Sequence, residues 1–177
     1  MENDSLADVK LPEYRVLNPF TIDPDKPVNP QNLFQEVKAW NEAWEDKTVQ
    51  VIAWMWGGAG QNSGYKTFTN PDNPGLVAMK SDITDEEMMK IGEFGGAEYV
   101  VLEGIANLDG SSIFLSNVEV LEPYTGDSLP KGQQISPEEA GKGTPYNPAD
   151  IHQSMLAWQD REVTIEGIAT LALKGNL

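Results

Sequence analysis

The feature that most constrains this sequence is the order of its helical and strand-like patterns between residues 30 and 122. A helical stripe comes first, with apolar residues three and four apart in "NPQNLFQEVKAWNEAWED". Three strand-like stretches follow, "KTVQVIAWMWG", "YKTFT" and "LVAMKSD", with turn-forming residues between them. A short helix, "TDEEMMKIGEF", and two strands that turn at Asp109-Gly110 complete the order. The sequence therefore predicts an α+β chain that is mainly β with helices.

The first strand also predicts which of its residues face the core. Successive side chains of a strand point to opposite faces of the sheet, so alternate residues form two sets. We expect one set to face inward, Val49, Val51, Ala53 and Met55, and the other to face outward, Gln50, Ile52, Trp54 and Trp56. Trp44, at the end of the preceding helical stripe, is predicted to be buried against the sheet.

The order of elements resembles an OB-fold, a five-stranded barrel with a helix between its third and fourth strands. Four segments carry the resemblance: "AWEDKTVQVIAWMWG", "GLVAMKSD", "EYVVLEGIANLDG" and "SIFLSNVEVLE". They resemble OB-fold domains of the tRNA-anticodon-like or nucleic-acid-binding type found in bacterial exported proteins. The resemblance implies an OB-fold domain over residues 29–122, made of a helix followed by the five-stranded barrel, and a ligand on the outer face of the second and third strands. It implies a binding module and no enzyme.

A second, shorter copy of the first helix–strand unit is predicted at residues 147–177. The pairs Ala43/Ala157, Trp44/Trp158, Asp46/Asp160 and Val49/Val163 are identical at a constant offset, and both units open with Asn-Pro. Chance similarity between two helix–strand joins is the alternative. Residues 1–28, which contain four prolines, are predicted to be an extended arm, and residues 123–146 a linker.

The second copy is too short to fold alone but too apolar to be a free tail. We expect residues 147–177 to dock on the first barrel or on the barrel of a second molecule, with its strand added to a sheet edge. A homodimer through this C-terminal segment is therefore one candidate assembly.

An aromatic and lysine set is the candidate ligand-binding surface. If the first strand has the predicted register, rings and cations collect on the outer face of strands one to three, where bases or sugars could stack on them. The set is Trp54, Trp56, Tyr65, Lys66, Phe68 and Lys80. The alternative is that these rings pack beneath the N-terminal arm or the second helix. The preferred function is a binding or interaction module for an unknown protein or small ligand, and the second hypothesis is a single-stranded nucleic-acid-binding protein.

No catalytic residue, metal site or cofactor site is predicted. The chain has no cysteine, and its only histidine, His152, has no partner in a metal-ligand spacing. "GGAGQNSGYKT" lacks the Gly-Lys-Ser/Thr of a phosphate loop, and the Asp-rich turns lack the spacing of a calcium loop.

The charge balance bears on partners. Twelve Lys and Arg against 28 Asp and Glu give a formal net charge of −16, which disfavours nucleic acid and anionic membranes. No apolar run is long enough for a membrane span, and the N-terminal residues do not form a signal peptide. The compartment stays undecided from the residues, and only the resemblance favours the periplasm or cell surface.

Overall fold

The computed structural model describes residues 10–54, 66–68, 79–97, 99–110, 112–127 and 129–166. The chain divides into two compact units. The larger comprises Trp40–Ala157, and the smaller comprises Met1–Ala39 together with Trp158–Leu177.

One mixed sheet organises the larger unit. Its strands are β1 (Thr48–Trp54), β2 (Lys66–Phe68), β3 (Met79–Ser81), β4 (Tyr99–Asp109), β5 (Ser112–Pro123) and the two-residue β6 (Pro145–Tyr146). Their order across the sheet is β2-β3-β5-β4-β1-β6. β3 pairs with β5 and β1 with β6 in parallel, and the other pairs are antiparallel. Within the described residues β2 and β1 are not paired, so the sheet is open and the predicted closed barrel is not confirmed.

The described residues form four helices: α1 (Pro30–Trp44), α2 (Asp85–Glu93), α3 (Pro137–Ala140) and α4 (Pro148–Met155). The predicted Asn-Pro starts of α1 and α4 are both present. The Asn29 Oδ1 atom accepts a hydrogen bond from the Gln31 N–H at 2.9 Å, and the Asn147 Oδ1 atom accepts one from the Ala149 N–H at 3.0 Å. Each asparagine therefore satisfies a backbone donor that the first helical turn leaves without a partner.

The core lies on the face of the sheet that the sequence predicts. Val49, Val51 and Ala53 are buried in it, with Val51 at 0% exposure. Trp44, at the end of α1, is 3% exposed and belongs to the same cluster, as predicted. Met55, the fourth residue of the predicted inward set, lies outside the described residues.

The segment predicted to be a linker, residues 123–146, contributes α3 and β6 to the larger unit. Tyr146 of β6 pairs with Val51 of β1, and it is buried in the core. α4 then places Ile151 and Met155 in the same core cluster. The helical part of the predicted second copy therefore completes the core of the larger unit.

In the smaller unit, the N-terminal arm is anchored to α1 and to the C-terminal segment. The buried Asn32 amide accepts from the Arg15 N–H at 3.1 Å and donates to the Arg15 carbonyl at 2.9 Å. Val28 forms a parallel bridge with Ile165, supported by hydrogen bonds from Val28 N–H to the Thr164 carbonyl and from Glu166 N–H to the Val28 carbonyl. Ile165 thus pairs with the arm, whereas the sequence suggested a sheet edge.

Glu87 links helix α2 to β5 by a side-chain hydrogen bond. Thr84 caps the helix by accepting from the Glu87 N–H at 3.2 Å, as the capping-box spacing predicts. The Glu87 carboxylate does not return to the cap. It accepts from the Val120 N–H at 2.7 Å and from the Lys90 ammonium. The hydrogen bond from Lys90, followed by the one from Val120, lowers the pKa of Glu87 below its ordinary value.

Val51→Asp should unfold the larger unit, because an aspartate at this fully buried position would have no room for water or a counter-charge. Circular dichroism during urea denaturation measures the effect. Thr48→Asp, at the exposed first residue of the same strand, is the matched control and should cost less than about 1 kcal/mol. A Val51→Asp protein as stable as the wild type would contradict the register of β1.

Glu87→Gln should reduce the acid sensitivity of the protein. Because the pKa of Glu87 is lowered in the folded state, its contribution to stability is present above its unfolded pKa of about 4.3 and is lost as the pH falls through the lower folded value. Urea denaturation at about five pH values between pH 3 and pH 7 measures the free energy of unfolding. This free energy should fall less steeply with decreasing pH in Glu87→Gln than in the wild type. Glu86→Gln, at the exposed neighbouring position of the same helical turn, serves as the control, and an equal change in both variants would refute the role of Glu87.

Candidate binding surface

The six residues predicted to bind ligand do not form one set on the outer face. Trp54 lies on the outward side of β1 and is partly buried. Phe68 is 6% exposed and belongs to the core, so its ring is not available to a ligand at the surface. Lys66 lies in β2, in register with the buried Ser81. Lys80 is in register with Thr67 on one side and with Phe114 on the other. The remaining two, Trp56 and Tyr65, lie outside the described residues.

Lys80 is instead part of a row of side chains across the outer face of β3, β5 and β4. It is in register with Phe114, and Phe114 is in register with Asn107. We call Lys80, Phe114 and Asn107 the outer row. All three side chains are partly exposed, whereas the alternate residues of β5, Ile113 and Leu115, are buried in the core.

Hydrogen bonds fix both ends of the outer row. The Lys80 ammonium lies 2.8 Å from the Asp109 carboxylate, and each of these side chains is 42% exposed. The Asn107 amide donates to the Ser116 hydroxyl at 3.3 Å and to the Ile105 carbonyl at 3.2 Å. An ion pair this exposed contributes at most about 1 kcal/mol to stability, so its main consequence is to neutralise the lysine charge locally.

A second group of aromatic side chains lies at the other end of the same face. Trp54 is in register with Tyr99, and Tyr124 donates its backbone N–H to the Tyr99 carbonyl at 2.9 Å. The centroids of the two tyrosine rings are 6.5 Å apart, and the ring planes meet at 85°. We call Trp54, Tyr99 and Tyr124 the aromatic cluster. Each of its side chains is partly buried.

Gly126 lets the chain pass close to the Tyr124 ring. A Cβ atom at Gly126 would lie 2.2 Å from the Tyr124 hydroxyl oxygen and 2.3 Å from the ring carbon that carries it. Any side chain there would force the ring to move, so the glycine is part of what sets the orientation of Tyr124.

The face between the two groups is partly covered and otherwise acidic. Ile52 and Val101 point outward in register with each other, but each is only 2% exposed. These two aliphatic side chains are therefore buried although they lie on the outward face. Glu103 is in register with Glu119 and accepts a hydrogen bond from the Gln50 amide at 2.9 Å.

Sequence patterns missed the residues that the sheet brings together with Trp54 and Lys80. Phe114 is signalled only by the alternation in "SIFLSN", where Ile113 and Leu115 occupy the core positions. Tyr99 and Tyr124 are 25 residues apart in the sequence (124 − 99 = 25), and no local pattern links them. Their pairing depends on the register of β4 with β5.

His152 is the only histidine of the chain, and the sequence predicts no metal site around it. This histidine lies in α4 and is 8% exposed. Among the residues that the structure describes, no three His, Asp or Glu side chains are grouped so that they could hold a metal ion.

None of the described helices is both long enough and apolar enough to cross a bilayer.

Comparison with known proteins finds no family model, no curated protein and no solved structure that matches this chain.

Gly126→Ala should displace the Tyr124 ring, because its new Cβ atom would overlap the ring hydroxyl. We expect a changed near-ultraviolet circular dichroism spectrum with a stability change below about 1 kcal/mol, because the overlapping atoms are the far end of a partly exposed side chain that can turn away. Gly92→Ala is the matched control, since nothing lies within 4 Å of the Cβ position there and alanine favours its helix. An unchanged tyrosine spectrum in Gly126→Ala would contradict the close approach.

Proposed function

We propose that this protein is a non-enzymatic binding module of the OB type, with its ligand on the outer face of the sheet. The strand neighbours support the proposal. In an OB-fold the third and fifth strands pair in parallel and the fourth strand pairs with the first, as β3 with β5 and β4 with β1 do here. The position of α2 between β3 and β4 also fits. Closure between β1 and β2, which would complete the barrel, is part of the proposal.

The observation that carries the proposal is the outer row. A partly exposed phenylalanine, Phe114, lies in register between Lys80 and Asn107 on the outside of the sheet. An aromatic ring with hydrogen-bonding groups on both sides suits a ligand that has a flat face and polar edges. The third strand belongs to the face that OB-folds use for oligonucleotides and oligosaccharides.

Charge favours a neutral ligand over a nucleic acid. The formal net charge of the chain is −16, which repels phosphates. Lys80, the one member of the predicted cationic pair whose side chain is described, already has Asp109 as its counter-ion. The paired ammonium and carboxylate can instead donate to and accept from adjacent hydroxyl groups. We therefore favour an oligosaccharide, with single-stranded nucleic acid as the second candidate.

The internal repeat is also part of the proposal. Both helices begin at an Asn-Pro pair, and both are followed by an aspartate in the left-handed region, Asp46 at φ 53° and Asp160 at φ 57°. Those two aspartates are aligned by the constant offset of the sequence match. Left-handed backbone is uncommon outside glycine, so its occurrence at both positions supports a common origin of the two helix–strand units.

NMR titration tests the ligand class. Neutral cello- and malto-oligosaccharides should shift the backbone resonances of Lys80, Asn107 and Phe114. Phe114→Ala should weaken that binding about fivefold or more, because stacking on one ring is worth about 1 kcal/mol or more. Leu121→Ala, an exposed apolar residue of the same strand, is the control and should bind as the wild type does.

A single-stranded oligothymidylate, titrated at two salt concentrations, separates the two candidates. Binding through the outer row that weakens steeply with salt would favour the nucleic-acid hypothesis over the oligosaccharide. If neither sugar nor oligonucleotide perturbs the outer row, the proposed function is contradicted.

A further inference from the structure

A cavity of about 180 Å³ lies in the N-terminal arm, within the smaller unit. Residues 15–18, 21–23 and 26 line it, so one short stretch of chain forms all of its walls. We call it the arm cavity. A cavity of about 150 Å³ accommodates one benzene molecule, so the arm cavity has room for a small organic ligand.

Backbone hydrogen bonds hold the arm cavity in shape. The buried Asn32 amide accepts from the Arg15 N–H at 3.1 Å and donates to the Arg15 carbonyl at 2.9 Å. The chain then makes two turns, residues 18–21 and 23–26, each closed by a 3.1 Å hydrogen bond from the N–H of its last residue to the carbonyl of its first. Because these bonds belong to the backbone of Arg15 and Lys26, the two side chains are not what shapes the cavity.

Two cations line the arm cavity, Arg15 and Lys26. Among the described residues, the Arg15 guanidinium has no hydrogen-bond or ion-pair partner. The Lys26 ammonium lies 3.5 Å from the carboxylate of Asp23, which also lines the cavity, and the two side chains are 69% and 45% exposed. Such an exposed pair is weak, so the ammonium can turn N–H donors toward a ligand.

The balance of charge in the lining is opposite to that of the chain. Two cations and one carboxylate give the lining a net charge of +1 (2 − 1 = 1), whereas the whole chain carries −16. The Glu36 carboxylate, which does not line the cavity, accepts from the Leu17 N–H at 3.3 Å. The arm cavity therefore suits one negative charge, and the field of the chain opposes anions that carry two or more.

We propose that the arm cavity binds a monovalent organic carboxylate with a small apolar body. The planar guanidinium of Arg15 can donate two parallel N–H bonds to a carboxylate, and Lys26 supplies a second cation on the same cavity. The aliphatic side chains of Val16, Leu17 and Ile22 line the remainder. Val16 is 89% exposed, so a ligand that covers it removes apolar surface from water.

The test is an NMR titration of the full chain with sodium benzoate, with benzamide and inorganic phosphate as comparison ligands. Benzoate should shift the backbone resonances of Arg15, Thr21 and Lys26. Benzamide has nearly the same shape without the charge, and it should bind at least about fivefold more weakly. Equal binding of benzoate and benzamide, phosphate binding as tight as that of benzoate, or no shift at about 50 mM benzoate would each overturn the proposal.

Variants of Arg15 separate the site from the fold. Arg15→Met should weaken benzoate binding about fivefold or more, and Arg15→Lys should weaken it less, because lysine keeps the charge but loses the fork. Lys10→Met, at an exposed lysine of the same arm that does not line the cavity, is the matched control for charge and should bind within about twofold of the wild type. Unchanged benzoate affinity in a folded Arg15→Met protein would overturn the site.

Asp23→Asn tests the charge of the lining in the opposite direction. It removes the counter-ion of Lys26 but keeps a side-chain oxygen that can accept from the Asp25 N–H, as Asp23 does at 3.1 Å. Benzoate should bind about twofold or more tightly to this variant, and weaker binding would contradict the proposal. Phe114→Ala should leave benzoate binding unchanged, because the outer row belongs to the larger unit, so this site and the proposed carbohydrate surface fail independently.

Discussion

The pairing of β4 with two neighbours is the interaction on which the rest of the larger unit depends. β4 pairs with β1 along one edge and with β5 along the other, so its backbone groups are satisfied on both sides. Its inward residues Val100 and Leu102 are completely buried. Because a strand alternates its faces, burial of these residues also dictates that Tyr99, Val101 and Asn107 point outward. The core and the candidate binding surface are therefore two consequences of one register.

Irregularities in the β4–β5 pair shape that surface. The register shifts between Val101 and Leu102 and again between Glu103 and Ile105, where Gly104 lies close to Leu115 and the Ser116 carbonyl. Asn117 in β5 has a positive φ of 55°. Bulges of this kind increase local twist and re-aim side chains. They bring Glu122 and Tyr124 onto the outward face although Val118 and Val120 occupy the core.

The outward face consequently has two different chemical characters. At one end an aromatic ring lies between an amide and a neutralised ion pair, and at the other three aromatic residues adjoin carboxylates.

The sequence by itself determined what depends on near neighbours. The Asn-Pro helix starts, the Thr84 cap, the Asp109-Gly110 turn and the inward set of β1 follow from local backbone preferences and the two-residue period of a strand. Tertiary structure alone decided that Phe68 is buried in the core and that the Tyr124 ring contacts the Tyr99 ring. It also decided that the Glu87 carboxylate accepts from the Val120 N–H and not from the N-terminal residue of its own helix. It also decided that residues 123–146 form part of the larger unit and that Ile165 pairs with Val28. These outcomes depend on contacts between residues far apart in the chain, whose energies no local pattern encodes.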